Sequence, residues 1–97
     1  MGIEQVQSEH HRISILQALN AMTGYQTNDS MLQCGCEAYG HKMSNDQVRS
    51  HLFWLKEQGL VSIESHDRYL LATLTSRGQD VAEGRAMCPG VKRPRAK

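Results

Sequence analysis

Between residues 43 and 61 the sequence leaves little choice of local structure. Ser44 is followed three positions later by Gln47, the spacing at which a hydroxyl and an amide satisfy each other's free backbone donors at a helix start. From Asn45 onward Val48, Leu52 and Leu55 share one face at about 100° per residue, His51 flanks them, and Gly59 stops the helix. Val61 and Ile63 then alternate with Ser62 and Glu64, Ser65, His66, Asp67 and Arg68 make a polar turn, and Leu70, Ala72 and Leu74 alternate again. A helix running straight into a hairpin, each with one apolar face, must bury both faces in a common core.

The flanks supply the rest of that core. Over residues 8–22, Ile15, Leu16, Leu19 and Met22 repeat at helical spacing, and Thr23 and Gly24 end the pattern. Residues 25–27 read as a short extended stretch. Asn28 is a good N-cap and Asp29 suits a first turn, so a second helix is expected from there to Tyr39, closed by Gly40. After the hairpin Thr75 can cap a last helix with Val81, Ala82 and Arg85 on one side, and Gly78 permits a close approach to the sheet.

A chain of 97 residues supplies one core of this kind, and its 39% hydrophobic and 22% charged residues separate it from disordered chains. One domain is expected over residues 1–87, with residues 88–97 as a flexible basic tail. No apolar run approaches membrane-spanning length, and residues 1–11 lack the basic start and apolar middle of a signal peptide. The expectation is a cytoplasmic protein with no membrane partner, its three cysteines reduced. The net charge of +1 hides an asymmetry. Lys92, Arg93, Arg95 and Lys97 contribute four positive charges, so subtracting them from +1 leaves −3 on the remainder.

The order helix, short strand, helix, turn, helix, hairpin, helix is that of a winged helix-turn-helix, mainly α with a small β-hairpin wing. The run 43–61, ending in LKEQGLV (55–61), resembles the ArsR and MarR families of bacterial repressors without a gap, and LTSRG (74–78) continues the likeness. A resemblance over most of the chain is to a family of short proteins of Mu-like bacteriophages and prophages. It is carried by VR (48–49), WLKEQGLV (54–61), ATLT (72–75), and above all DVAEGRA (80–86) through PGVKRP (89–94). That family implies a phage winged-helix protein acting in the bacterial host cytosol as a DNA-binding transcriptional regulator.

In the repressors, the residues that reach DNA lie at the start and outer face of the third helix, which implies Asn45, Asp46, Gln47, Arg49, Ser50 and Phe53 here. Asn45 and Gln47 suit adenine edges, and Arg49 suits guanine or phosphate. Lys56, His66 and Arg68 add contacts from the helix end and wing tip, and Lys92, Arg93, Arg95 and Lys97 add a sequence-independent hold by counterion release. Against this stand the acidic Asp46 and Glu57 and the aromatic Phe53 on the same outer face. Phe53 and Trp54 project away from Val48 and want covering, under the wing, under the first helix, or by a partner surface. The alternative expectation is therefore an assembly or adaptor protein whose winged helix contacts another phage protein. A homodimer is expected by analogy alone, since beyond Ile13 the first helix shows no second apolar face.

Cys34 and Cys36 resemble the Cys-x-Cys pair of some ArsR-family metal sensors, with His41 as a third ligand. On a regular helix such thiolates point about 200° apart, so a metal-responsive repressor requires a distorted helix, which Gly35 permits. On an intact helix Cys36 is a small buried residue and Cys34 faces outward. His10 and His11 read as solvated, and His51 as a packed histidine. No phosphate loop, nucleophile elbow or paired metal-ligand motif is present, so neither enzyme activity nor a cofactor is expected.

Overall fold

A computed structural model describes residues 2–94. The chain is a winged helix-turn-helix: α1 (Ile3–Ala21), a 3-10 turn, β1 (Gln26–Asn28), α2 (Asp29–Ala38), α3 (Asn45–Glu57), β2 (Val61–Ser65), β3 (Leu70–Leu74) and α4 (Ser76–Ala82). The strands form one antiparallel sheet in the order β1-β3-β2, so the short extended stretch before α2 is a third strand on the open edge of β3. Gln26 stands opposite Thr73 on one side of β3, and Val61 opposite Leu74 on the other.

The joints on either side of α3 close for local reasons. The α3 capping box is complete, with Ser44 Oγ accepting from the Gln47 amide at 3.2 Å and Gln47 Oε1 from the Ser44 amide at 2.9 Å. At its other end the Leu60 N–H donates to the Leu55 carbonyl (3.0 Å) and the Gly59 N–H to that of Lys56 (3.0 Å), a Schellman closure. The same closure ends α2: His41 donates to the Cys36 carbonyl and Gly40 to that of Glu37, both at 2.9 Å. His41 is thus placed by the mechanism that terminates the helix.

Val48, Leu52 and Leu55 are fully buried against Ile15, Leu16, Leu19 and Leu32, each contributing about 1.5–3 kcal/mol by the apolar area it removes from water. α4 seats on the end of α3. Thr75 Oγ1 donates to the Gly59 carbonyl (2.8 Å) while accepting from the Gly78 N–H (3.0 Å). A Cβ at Gly78 would lie 2.0 Å from the Leu60 carbonyl oxygen, so the close approach is to this turn.

Three expectations change. α1 begins at Ile3, earlier than its apolar stripe, because residues 3–7 are exposed on all sides and carry no periodic signal. α4 ends at Ala82, and Arg85 leaves its apolar side to pair with Asp80 and Glu83 at the surface. Residues 88–94, assigned above to a flexible tail, cross back over α1 as a strap. Cys88 and Val91 are 4% and 9% exposed within the core, and the Lys92 N–H donates to the Glu9 carbonyl (3.2 Å). Arg95 and Lys97 lie outside the described residues.

Candidate nucleic-acid interface

The outer surface of α3 and the neighbouring wing are organised around one carboxylate. Asp29, the first residue of α2, is 1% exposed. It accepts hydrogen bonds from Asn45 Nδ2 (3.0 Å), Arg49 Nε (2.8 Å) and the Leu70 backbone N–H (3.2 Å). Burial alone would push this carboxyl up, but the three donors together outweigh burial and hold it below its ordinary value. One side chain therefore ties the start of α2, two turns of α3 and the first residue of β3 into a single body. Arg49 also reaches the Arg68 carbonyl at 3.5 Å, which sets the wing tip against the helix.

This arrangement divides the residues proposed for DNA contact. Asn45 and Arg49 donate inward to Asp29, and the Gln47 side chain serves the capping box. Asp46, Ser50, Phe53 and Lys56 remain exposed on the outer face, with Phe53 44% exposed. In the wing Arg68 is exposed, while His66 stacks on Tyr69 (4.6 Å between centroids) and pairs with Glu64 at 3.0 Å. Lys92 and Arg93 are not beside the wing. They lie on the strap, where they line a recess with His10 and His41.

A second cluster joins Trp54 and His51 to residues the sequence left apart from them, Arg12 and Gly90. Trp54 is partly buried, covered by the first helix through the Arg12 guanidinium, 3.9 Å from the ring centroid. Arg12 also donates to the Gly90 carbonyl (3.0 Å) and to His51 Nδ1 (3.3 Å). Gly90 has φ +94° and rests on the indole, where an added Cβ would lie 2.6 Å from a ring carbon. His51 is packed, as its place beside the apolar face suggested. Burial, then Arg12, then His11 push it from the ordinary 6.5 down to about 4. His10 and His11 are half-buried rather than solvated, with ring centroids 6.1 and 5.6 Å from His41. Burial lowers both, helped by His41 and, at His10, by Lys92. Their i, i+1 spacing gave no hint that one loop imidazole would meet both.

The cysteine pair does not converge. α2 is unbroken across it, Cys34 is exposed and Cys36 is fully buried, where burial raises its thiol pKa. The His41 ring packs against His10 and His11 of α1, and no group of three metal-ligating side chains occurs among the described residues.

No family model matches the chain. The uncharacterized protein gp26 of Escherichia phage Mu is 48% identical to it over 93 residues, 96% of each chain. This protein belongs to the gp26 family of phage Mu. An uncharacterized protein of Haemophilus influenzae is also similar, 40% identical over 78 residues, covering 79% of this chain and 76% of its own. Among solved structures the gp26-family fold is similar to RosR of H. salinarum (TM-score 0.65, 21% identity, 75% of this chain). It is also similar to Bordetella bronchiseptica BpsR, whose DNA binding is regulated by 6-hydroxynicotinic acid (TM-score 0.62, 23% identity, 75% of this chain). The chain spans 66% and 48% of those two proteins, so the likeness to them is one of fold over part of their length. No helix among the described residues of this gp26-family member is long and apolar enough to cross a membrane.

Proposed function

We propose that this protein is a non-enzymatic, DNA-binding regulator of a Mu-like phage that docks α3 in the major groove of duplex DNA and sets its wing on the flanking backbone. The observation that carries the reading is the Asp29 clamp, which holds the exposed face of α3 and the wing as one rigid surface, as groove docking requires. The fold shared with BpsR, a protein that binds DNA, supports it. Ser50 and Phe53 meet base edges, Lys56, His66 and Arg68 meet phosphates, and Asn45, Gln47 and Arg49 hold the surface while offering their remaining polar atoms. Asp46 disfavours close phosphate approach and limits affinity. Lys92, Arg93, Arg95 and Lys97 extend the phosphate contacts only if the DNA reaches the strap. The site of action is the host cytosol, with a homodimer as the working form.

Fluorescence anisotropy with labelled duplex DNA at several salt concentrations tests this. Lys56→Ala and Arg68→Ala should each weaken binding across sequences and lower the salt slope by about 1. Absence of binding at low salt overturns the reading. The exposed Phe53 between Asp46 and Glu57 favours one second reading, an assembly or adaptor protein that meets another phage protein with this face.

A further inference from the structure

Turning about 100° per residue from Val48, the side chains of Asp46, Ser50, Phe53 and Glu57 fall within about 40° of the direction opposite the core. All four are exposed. This outermost stripe of α3 holds two carboxylates, a hydroxyl and a ring, and no cation. The cations stand beside it. Arg49 and Lys56 lie about 80–100° round from Val48, on the flank where Arg49 reaches the Arg68 carbonyl of the wing. The side chains best suited to purines are engaged elsewhere: Asn45 Nδ2 and Arg49 Nε donate to Asp29, and Gln47 Oε1 accepts from the Ser44 amide. Positive charge is thus set toward the backbone side of a groove, and the stripe that would enter the groove is left with an acid and an apolar ring.

A carboxylate only accepts hydrogen bonds, so on the groove floor it is repelled by guanine O6 and N7 and attracted by amines alone. The adenine N6 amine has acceptors on both sides, its own N7 and thymine O4, whereas the cytosine N4 amine has one such neighbour, guanine O6. Asp46 therefore favours cytosine. It lies in the first turn of α3, and the N-terminal part of a recognition helix is the part that reaches base edges, which sets it ahead of Glu57. The thymine methyl is the one methyl group on that floor, and it covers the 44% exposed Phe53 as no other base edge does. Asp46 and Phe53 are about 10 Å apart along the helix, at most about three base-pair steps of about 3.4 Å.

We propose, resting on the DNA-binding reading, that α3 selects sequence through these two side chains. Asp46 accepts from the N4 amine of a cytosine, and Phe53 lies on the methyl group of a thymine within about three base-pair steps of it.

Selection from a randomised duplex library by the full chain at low salt, followed by fluorescence anisotropy on the enriched duplex, tests this. The enriched site should hold a cytosine and a thymine within that spacing. Deoxyuridine in place of that thymidine removes only the methyl group and should weaken binding about fourfold, as for one buried methyl, while Phe53→Ala should bind the two duplexes alike. Asp46→Asn, whose amide pairs with adenine N6 and N7, should turn the cytosine preference into an adenine preference of about tenfold or more. Both positions are exposed, so neither variant removes a core contact. The proposal is overturned, with the DNA-binding reading intact, if the chain binds duplex DNA without enriching such a site. It is overturned in the same way if the parent binds the deoxyuridine and thymidine duplexes equally, or if Asp46→Asn keeps the cytosine preference. Absence of binding to any duplex at low salt overturns both together.

Discussion

Two junctions fasten peripheral elements to α3, and they do so by opposite means. At the wing, the buried Asp29 carboxylate collects three hydrogen bonds, one of them also its ion pair with Arg49, and polar satisfaction does the holding. At the strap, the Trp54 indole packs against both the Arg12 guanidinium and Gly90, and close fit adds to the Arg12–Gly90 and Lys92–Glu9 hydrogen bonds, with His51 kept neutral beside them. A polar clamp is cooperative and fails badly when its centre is removed, because each donor is then left unpaired in a dry site. A packed contact fails by degrees, according to how far its parts are pushed apart. The wing is therefore suited to hold one geometry, and the strap to give way by degrees.

Removing the centre of the clamp is expected to have the largest effect. Asp29→Ala leaves Arg49, Asn45 and the Leu70 N–H without their acceptor, and should destabilise the protein by about 3 kcal/mol, the lower end for a broken buried ion pair because Arg49 is partly exposed. Urea unfolding measures this. A loss below about 1 kcal/mol would place the clamp among ordinary surface pairs and remove the contrast with the strap. The DNA reading adds that Asp29→Ala should weaken duplex binding although Asp29 touches no DNA.

The strap should yield more gently. Gly90→Ala places a methyl group on the indole and a side chain at φ +94°, so the strap must shift at a cost of about 1–3 kcal/mol. Trp54 is the only tryptophan, so its emission reports the event directly. A red shift without loss of helical signal is expected, whereas unchanged emission would show that the strap does not rest on the ring.

What could be read beforehand follows the same division. Val48, Leu52 and Leu55, the Ser44 and Gln47 cap, and the alternation in the two hairpin strands are periodic or local, and each stands where its pattern placed it. Asp29 carried only the local meaning of a first-turn acid, since its partners lie 16, 20 and 41 residues away and no periodicity connects them. For the same reason the bond from Arg49 to Asp29 could not be read, although the Arg49 side chain stays 37% exposed at the surface. The strap buries just Cys88 and Val91 between prolines and cations, too few apolar residues to mark a packed segment. The edge strand β1, three residues long, was visible as extended chain but not as a partner of β3.

Acid separates the two junctions and gives the smallest but most selective effect. The folded protein holds His51 at about 4 against the ordinary 6.5, so between those values the unfolded chain binds more protons than the folded one. Stability from the neutral, packed ring is therefore complete above pH 6.5 and is lost as pH falls toward 4, with His10 and His11 acting in the same direction. Because the ring is only half-buried, the loss should be about 1–2 kcal/mol, or several degrees in the unfolding midpoint at about 4–8 °C per kcal/mol. Asp29 behaves otherwise. Its carboxyl lies below the ordinary 3.8, so its contribution is intact throughout this window and declines only at lower pH. Thermal unfolding of His51→Gln, which keeps a polar side chain beside Arg12 but cannot be protonated, should show a flatter profile between pH 6.5 and pH 4 and an unaltered one below. A variant as acid-sensitive as the parent in that interval would move the effect away from the strap and undo the distinction between the junctions.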